Sequence, residues 1–355
     1  MKTQIKKIRP EDKENEDFLK KFDEASNILK EGGLVAFPTE TVYGLGADAL
    51  NPQASQKIYA AKGRPSDNPL IVHICDINAL YDLCSTVPES AIKLAKKFWP
   101  GPLTMVLNKS DIVPHQTTGG LDTVAIRMPD HPVAYGLLKR SGVYIAAPSA
   151  NTSGKPSPTL AKHVKHDMDG KIDYIIDGGE VGIGIESTIV DLTSDIPTIL
   201  RPGYITPGMI KEVLGSVEID KGILRENKDA GFVPKAPGMK YKHYAPSGEL
   251  TIIEGEINSV VDKINNLVEN KVHEGAKVGV IATTETAKFY KCDIIRTIGS
   301  RNDELSISRG LYKVLREFDE EKVEYIYTEA FTEDEFSNAI MNRLLKAAGY
   351  KVIEV

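Results

Sequence analysis

The spacing of apolar residues over the first 215 positions indicates short strands separated by helices. Phe18, Phe22, Ala25 and Leu29 recur every three to four residues ahead of a Gly-Gly pair, which predicts a first helix. Apolar runs bounded by turn residues predict strands at residues 34–37, 70–74, 104–107, 124–126, 143–147, 174–176, 187–192 and 198–200. Further helices are predicted at residues 53–61, 89–98, 131–140 and 209–214, with His131 at the start of its helix or capping it. This mixture predicts an α/β domain built on a twisted, mixed sheet.

A second pattern of strands and helices follows an interruption at residues 216–247, which contains Pro234, Pro237 and Pro246. Beyond it, strands are predicted at residues 250–253, 278–282, 294–297 and 323–327, and helices at residues 257–270, 305–318 and 334–348. Strands that alternate with helices of this length predict a smaller parallel sheet of Rossmann-like topology. The expected organisation is a first domain at residues 1–215, a linker at residues 216–247 and a Rossmann-like α/β domain at residues 248–355.

Composition excludes several classes of protein. A hydrophobic share of 41% and a charged share of 26% are typical of globular domains. No apolar run approaches the ~18 residues that span a bilayer, and the charged N-terminal segment does not resemble a secretion signal, so no membrane role is expected. Cys75, Cys84 and Cys292 are too few and too scattered for a disulfide framework or a zinc site. We therefore expect a cytoplasmic protein whose cysteines are packing residues.

The acidic excess of the chain is confined to its C-terminal third. The segment from Gly248 onward holds 20 acidic and 14 basic residues, which accounts for the whole net charge of −6. A nucleic-acid-binding surface needs a basic face. The charge distribution therefore argues against nucleic-acid binding by this third of the chain.

Three polar segments adjoin predicted strands of the first domain, and in open α/β sheets ligands bind beyond the strand ends. The first, PTETVYGLG at residues 38–46, lacks the third glycine of a dinucleotide-binding fingerprint. The second, KGRP at residues 62–65, places two cations around a glycine, which suits a triphosphate, although alone such a turn is usually solvated surface. The third, APSANTSG at residues 147–154, offers hydroxyl and amide groups ahead of a helix, and its alternative role is simple capping.

Together with Asn68-Pro69, with IESTIVD at residues 185–191 and with LRPG at residues 200–203, these segments resemble the signature of the YrdC-like domain family over residues 31–215. The segment PGMKYKHYAP and the later NAIMNRLLKAAG resemble the longer members of that family, which are threonylcarbamoyl-AMP synthases. The resemblance implies a nucleotidyltransferase that forms L-threonylcarbamoyladenylate and pyrophosphate from L-threonine, bicarbonate and ATP. It also implies Mg²⁺ on the ATP phosphates and transfer of the product to the enzymes that modify tRNA, while direct tRNA binding is left open.

The same resemblance implies roles for individual residues. The ATP-binding residues would be Lys62, Arg64, Asn68, Ser149, Asn151 and Arg201, with Lys62 and Arg64 acting in catalysis by neutralising phosphate charge. The residues that bind threonine or the carbamate would be Thr39, Tyr43, His73, Arg127 and Ser187. Arg127 suits a carboxylate clamp, whereas a lone strand histidine such as His73 is more often a packed core residue. No general base and no metal ligand are identified from the sequence.

The linker is a candidate lid over the site, because carbamates and adenylates hydrolyse in water. We expect Tyr241 or Tyr244 to approach the substrates, and the alternative is a flexible tether. Two other functions stay open at this stage. One is an RNA-binding module, which the near-zero charge before Gly248 does not favour. The other is a carbamoyl-transfer role of the kind found in hydrogenase maturation.

Overall fold

The structure is a computed structural model that describes residues 2–9, 15–220, 222–223, 243–331 and 335–355. Its Cα positions divide into two units. The first comprises Met1–Ser153, Ser157–Gly182 and Glu186–Lys240, and the second comprises Gly154–Pro156, Ile183–Ile185 and Tyr241–Val355. Most of the predicted linker lies outside the described residues, so the predicted domain boundaries stay a prediction. Within the described ranges, no helix is long and apolar enough to cross a membrane.

A large mixed sheet forms the centre of the first unit. Its strands are β1 (Gln4–Lys7), β2 (Val35–Pro38), β3 (Tyr43–Asp48), β4 (Ile71–His73), β5 (Leu103–Asn108), β6 (Thr123–Arg127), β7 (Ile145–Ala146), β8 (Tyr174–Asp177), β9 (Thr188–Asp191), β10 (Thr198–Arg201) and β11 (Glu218–Ile219). They are ordered β1-β8-β2-β3-β7-β4-β6-β5-β9-β10-β11. Strand β4 runs parallel to β6 and antiparallel to β7, and similar mixing recurs along the sheet. The predicted mixed-sheet α/β fold is therefore confirmed.

Nine helices accompany this sheet among the described residues. They are α1 (Glu16–Lys20), α2 (Asp23–Lys30), α3 (Pro52–Lys62), α4 (Ala79–Leu83), α5 (Glu89–Phe98), α6 (His115–Thr118), α7 (Pro132–Ser141), α8 (Ala161–Met168) and α9 (Pro207–Leu214). His131 precedes α7, and its Nδ1 accepts a hydrogen bond from Val133 N at 3.2 Å. The predicted capping role of His131 is confirmed.

The two faces of the sheet pack differently, because successive side chains of a strand point to opposite faces. Val72, Met105 and Ile126 are fully buried in the main apolar core on one face. Their neighbours on the opposite face belong to a second, small apolar cluster, made of Ile71, Val106, Ala125, Ile189 and Leu200. On that second face the same strands also carry polar and charged side chains, which can form hydrogen bonds.

The predicted first helix is divided in the structure. Helix α1 ends at Lys20 and α2 begins at Asp23, with Asn15 capping α1 through hydrogen bonds from Asp17 N and Phe18 N. The apolar spacing continues across the break because Phe18 and Phe22 pack edge to face, with ring centroids 5.1 Å apart. Periodicity alone therefore could not reveal the interruption.

Strand β3 occupies residues that the sequence interpretation treated as a loop. It pairs antiparallel with β2, from Val35 opposite Gly46 to Pro38 opposite Tyr43. A Cβ atom on Gly46 would lie 2.7 Å from Ile145 Cγ2 and 2.9 Å from Phe37 Cε1. The glycine is therefore required by close packing, although glycine is depleted in strands, and this explains why propensity gave the wrong prediction here.

The second unit is a parallel sheet with helical connections, as predicted. Its elements in chain order are β12 (Glu249–Glu254), α10 (Ile257–His273), β13 (Val278–Thr283), a 3-10 helix (Ala287–Phe289), β14 (Ile294–Gly299), α11 (Glu304–Glu320), β15 (Tyr325–Glu329), α12 (Glu335–Ala347) and β16 (Val352–Glu354). The strand order is β14-β13-β15-β12-β16, with parallel pairing throughout. Strand β16 was not predicted because three residues at the chain end give too short a pattern.

Helix α3, whose last residue is Lys62, is capped at both ends. The side chain of Asn51 accepts hydrogen bonds from Gln53 N at 3.0 Å and Ala54 N at 3.1 Å. At the other end, Gly63 adopts the left-handed conformation, with φ of 61°, and closes the helix. Both caps fix the length of the helix and thereby the position of Lys62.

We expect the substitution Asn51→Ala to lower the free energy of unfolding of the first unit by about 1 kcal/mol, because two backbone N–H groups lose their acceptor. The matched variant Asn51→Asp keeps an acceptor oxygen and should retain most of the stability. Urea unfolding followed by the fluorescence of Trp99, the single tryptophan of the chain, measures both. Equal stability of the two variants would contradict the capping role.

Candidate functional site

A row of polar side chains crosses the second face of the large sheet. In the strand pairing, His73 of β4 lies opposite Arg127 of β6, and Arg127 lies opposite Thr104 of β5. Thr104 and Arg201 both lie opposite Ile189 of β9. Paired residues of neighbouring strands share a face. We call His73, Arg127, Thr104 and Arg201 the polar row; all four are at most 4% exposed.

A directed chain of hydrogen bonds holds Arg127 to the β2–β3 hairpin. Arg127 Nη1 donates to Thr41 Oγ1 at 2.9 Å, and Thr39 Oγ1 donates to the carbonyl oxygen of Val42 at 2.7 Å. Because Thr39 has a single hydroxyl proton, Thr41 must donate in the 2.8 Å contact between the two hydroxyls. The predicted threonine-binding residue Thr39 thus gives its hydroxyl proton to Val42 and accepts from Thr41, which in turn accepts from Arg127. A contact of Thr39 with substrate stays a prediction.

His73 is an uncharged member of the polar row. Its burial, and secondarily the nearby charge of Arg127, lowers the pKa of the imidazole to about 3. Nδ1 lies 3.1 Å from the carbonyl oxygen of Ile71, and because a carbonyl oxygen only accepts, Nδ1 carries the proton. The ring also packs edge to face on Phe37. His73 therefore presents Nε2 as a neutral acceptor.

Ser187 and Arg201, assigned by resemblance to different substrates, are in direct contact. Arg201 Nε donates to the carbonyl oxygen of Ser187 at 3.0 Å, and Nη2 donates to Ser187 Oγ at 3.1 Å. Ser187 Oγ in turn lies 2.8 Å from Thr104 Oγ1. These contacts connect the predicted ATP-binding Arg201 to the centre of the polar row.

Lys62 joins two of the polar segments found in the sequence. At the C-terminus of α3 its ammonium group donates to the carbonyl oxygens of Ser149 and Asn151, and the lysine is only 2% exposed. The Ser149 hydroxyl donates to Asn151 Oδ1 at 2.5 Å. Ser149 also continues the sheet through an isolated bridge to Gly44. Lys62, Ser149 and Asn151 are therefore brought together as predicted from the motifs.

Arg64 and Asn68 are held within their own turn. Arg64 Nη2 donates to the carbonyl oxygen of Pro69 at 3.2 Å, and Nε lies 3.4 Å from that of Asn68. Asn68 is 2% exposed, and within the part of the chain described here its Oδ1 accepts no hydrogen bond. Convergence of Arg64 with Lys62 and Arg127 around one ligand stays a prediction.

Of the three tyrosines predicted to contact substrate, Tyr43 and Tyr244 are buried, and Tyr241 is not among the described residues. Tyr43 is fully buried, its hydroxyl donates to the carbonyl oxygen of Gly179 at 2.7 Å, and burial raises its pKa. Tyr244 is 5% exposed and stacks on Tyr312 within the second unit, with centroids 5.3 Å apart. Tyr241 lies outside the described residues. Contacts of these tyrosines with substrates stay predictions.

The sequence interpretation missed Glu40, Thr41 and Thr104. Glu40 Oε1 lies 2.7 Å from Arg127 Nη2, and the two side chains are 12% and 5% exposed. The sequence did contain a signal for an ion pair of Glu40. This glutamate lies in a polar segment next to a predicted buried strand, and a buried carboxylate requires a cationic neighbour. The partner could not be identified, because Arg127 is distant in sequence.

The described residues contain no group of three or more His, Cys, Asp or Glu side chains placed to hold a metal ion. The charged nitrogen donors of the polar row belong to Arg127 and Arg201, and arginine suits phosphate or carboxylate oxygens. The chemistry that this arrangement offers is therefore binding of anionic groups, with a neutral imidazole beside them.

Family models match both parts of the chain. The model Sua5_yciO_yrdC, described as telomere recombination, matches residues 27–203. A model described as the threonylcarbamoyl-AMP synthase C-terminal domain matches residues 205–349. The first match contains strands β2 to β10 of the large mixed sheet, and the second contains strands β12 to β15 of the parallel sheet.

Individual relatives extend the similarity over nearly the whole chain. The threonylcarbamoyl-AMP synthase of Bacillus subtilis is 52% identical over 331 residues, with 93% of both chains covered. That of Pyrococcus abyssi is 50% identical over 331 residues, covering 93% of this chain and 95% of its own. A crystal structure of P. abyssi Sua5 complexed with L-threonine matches with a TM-score of 0.91 and 47% identity, covering 99% of this chain and 100% of that one. The chain belongs to the threonylcarbamoyl-AMP synthase family.

Proposed function

We propose that this enzyme forms L-threonylcarbamoyl-AMP and pyrophosphate from L-threonine, bicarbonate and ATP. The observation that carries this function is the 50–52% identity to two threonylcarbamoyl-AMP synthases across 93% of the chain. The P. abyssi relative was crystallised with L-threonine, and its fold matches along the full length. The reaction class that we assign is nucleotidyl transfer.

The nucleotide is proposed to bind at the Lys62 cluster. The Lys62 ammonium group is held beside Ser149 and Asn151, so phosphate oxygens would find a fixed positive charge there. The Ser149 hydroxyl, which donates to Asn151, would turn to a phosphate oxygen when the nucleotide binds. Arg64 and Arg201 supply further planar cations, and Asn68 offers an acceptor for a ribose hydroxyl or an adenine amino group. Mg²⁺ is proposed to enter with ATP, held by phosphate oxygens and water, where it would neutralise phosphate charge.

Threonine is proposed to bind at the polar row. The carboxylate would take the free donors of Arg127, because Nε and Nη2 donate no hydrogen bond within the described residues. The neutral His73 would accept the hydroxyl proton of the threonine side chain at Nε2. An imidazole without charge suits a hydroxyl donor better than it suits an anionic carbamate, so we assign His73 to the threonine hydroxyl.

The chemistry requires two steps. The neutral amine of threonine attacks the carbon of bicarbonate, and water leaves, so that a carbamate forms. A carbamate oxygen then attacks the α-phosphorus of ATP in line with the departing pyrophosphate. Both reactants of the second step are anions, so the contribution of the protein is to place them and to offset their charge, which the buried cations can do.

The destination of the product is also a proposal. L-threonylcarbamoyl-AMP would pass to the enzymes that transfer the threonylcarbamoyl group to tRNA, and a cytoplasmic location would suit that transfer. The proposed lid at residues 216–247 lies mostly outside the described residues. It would exclude water from the carbamate and the adenylate.

We expect pyrophosphate release from ATP to require both L-threonine and bicarbonate. A coupled pyrophosphate assay in degassed buffer, with each substrate omitted in turn, tests this directly. Release that continues at full rate without threonine or without bicarbonate would contradict the proposed function. RNA binding in the absence of any such turnover would favour the RNA-binding alternative.

The substitution Lys62→Ala should lower kcat/KM for pyrophosphate release by roughly 30- to 1000-fold, which corresponds to about 2–4 kcal/mol of transition-state stabilisation. The control is Lys97→Ala, which removes an exposed lysine near the end of α5. Steady-state kinetics with circular dichroism of the folded variants provides the measurement. Near-normal turnover of Lys62→Ala would remove Lys62 from the nucleotide site.

The low pKa of His73 predicts a pH dependence of stability. Between pH ~3 and ~6.5 the unfolded chain protonates this imidazole and the folded chain does not. The free energy of unfolding should therefore fall as pH decreases through this range, with His73 contributing up to about 1.4 kcal/mol per pH unit. Urea unfolding at several pH values, followed by Trp99 fluorescence, should show a shallower dependence in His73→Asn. Identical pH profiles would show that folding does not lower the pKa of His73.

A further inference from the structure

The ion pair between Glu40 and Arg127 retains unused hydrogen-bonding capacity. Arg127 Nη2 lies 2.7 Å from Glu40 Oε1 but its N–H groups are not aligned on that oxygen. Among the described residues, neither oxygen of Glu40 accepts a hydrogen bond, and Arg127 donates only through Nη1, to Thr41. A carboxylate and one edge of a guanidinium group thus lie side by side, buried, with hydrogen-bonding capacity that no described residue uses.

Such a pair is costly to bury in isolation. Taking two charges out of water is compensated only when their remaining donors and acceptors are satisfied. The Glu40 and Arg127 side chains are only 12% and 5% exposed. The incomplete hydrogen bonding therefore indicates a ligand that supplies the missing partners.

Other ionisable groups near Glu40 do not supply the missing hydrogen-bond partners. The charge of Glu40 reaches His131, but burial lowers the pKa of that imidazole to about 4, so it is neutral near pH 7. His131 Nδ1 is also occupied as the acceptor for Val133 N. Within the described residues, Arg127 is the cation recorded beside Glu40.

The geometry specifies the ligand chemistry. The edge formed by Nε and Nη2 of an arginine accepts a carboxylate through two parallel hydrogen bonds. A carboxylate such as that of Glu40, next to this edge, suits a cationic hydrogen-bond donor. A ligand that satisfies both must carry a carboxylate and an ammonium group a few ångströms apart. An α-amino acid, with both groups on one carbon atom, has this form.

We propose that Glu40 binds the α-ammonium group of threonine while Arg127 binds its carboxylate, so that the pair selects the zwitterion and places its nitrogen. This inference rests on the proposed function, because threonine is the amino acid substrate there. Glu40 is then a substrate-binding residue of the reaction. It orients the nitrogen, which releases one proton to water before the neutral amine is carboxylated. The motif resemblance assigned no role to it.

The test compares two ligands that differ only in the ammonium group. Calorimetry measures binding of L-threonine and of 2,3-dihydroxybutanoate with the configuration of threonine, in which a hydroxyl replaces the ammonium group. For Glu40→Gln we expect threonine binding to weaken roughly 30-fold or more, because the charged partner is lost. Binding of the dihydroxy acid should be unchanged or tighter, since it brings no positive charge to Glu40.

The controls separate the possible outcomes. Glu89→Gln, at a side chain that is 81% exposed, should leave the affinities for both ligands as in the original chain. Glu40→Asp keeps the charge and should lie between Glu40→Gln and the original chain, and its melting temperature checks folding. Equal weakening of both ligands by Glu40→Gln would mean that Glu40 only supports Arg127, and would overturn the inference. If the unaltered chain shows no threonine-dependent pyrophosphate release, the proposed function fails instead.

Discussion

The burial of positive charge beside the large sheet is the constraint on which the first unit depends. Lys62, Arg127 and Arg201 are between 2% and 4% exposed, and each is held by oxygen atoms from another part of the chain. A buried cation without such partners costs several kcal/mol. The oxygens therefore determine where the chain passes: α3 must end beside the segment after β7, and β6 must run beside the β2–β3 hairpin.

The sequence predicted the elements well where the pattern is regular. The helices at residues 52–62 and 89–98 and most strands of both sheets follow from apolar spacing and turn residues. Strand β3 was missed because glycine is rare in strands. Gly44 and Gly46 are needed here because the neighbouring side chains of Phe37 and Ile145 leave little room for a Cβ atom, and these neighbours cannot be read from the local sequence. The break between α1 and α2 was missed because two phenylalanines that pack edge to face continue the same spacing.

The candidate site was predictable as residue types but not as contacts. The motifs indicated Lys62, Ser149 and Asn151, and the structure joins them. Spacing could not reveal that Thr39 anchors Arg127 through Thr41, nor that Ser187 touches Arg201, because these contacts connect strands far apart in sequence. Tyr43 lies in a motif and was predicted to bind substrate, but its hydroxyl donates to the backbone carbonyl of Gly179.

The neutrality of His73 has a consequence for the electric field of the polar row. Arginine side chains stay charged at every pH that a cell experiences. The His73 imidazole, next to Arg127 in the sheet, stays uncharged over the same range, with a pKa of about 3. The electrostatic potential that the row presents to an anion is therefore constant when the acidity of the surroundings changes. Variation in ligand affinity with acidity would originate outside these four side chains, in the ionisation of the ligand or of a neighbouring carboxylate such as Glu40.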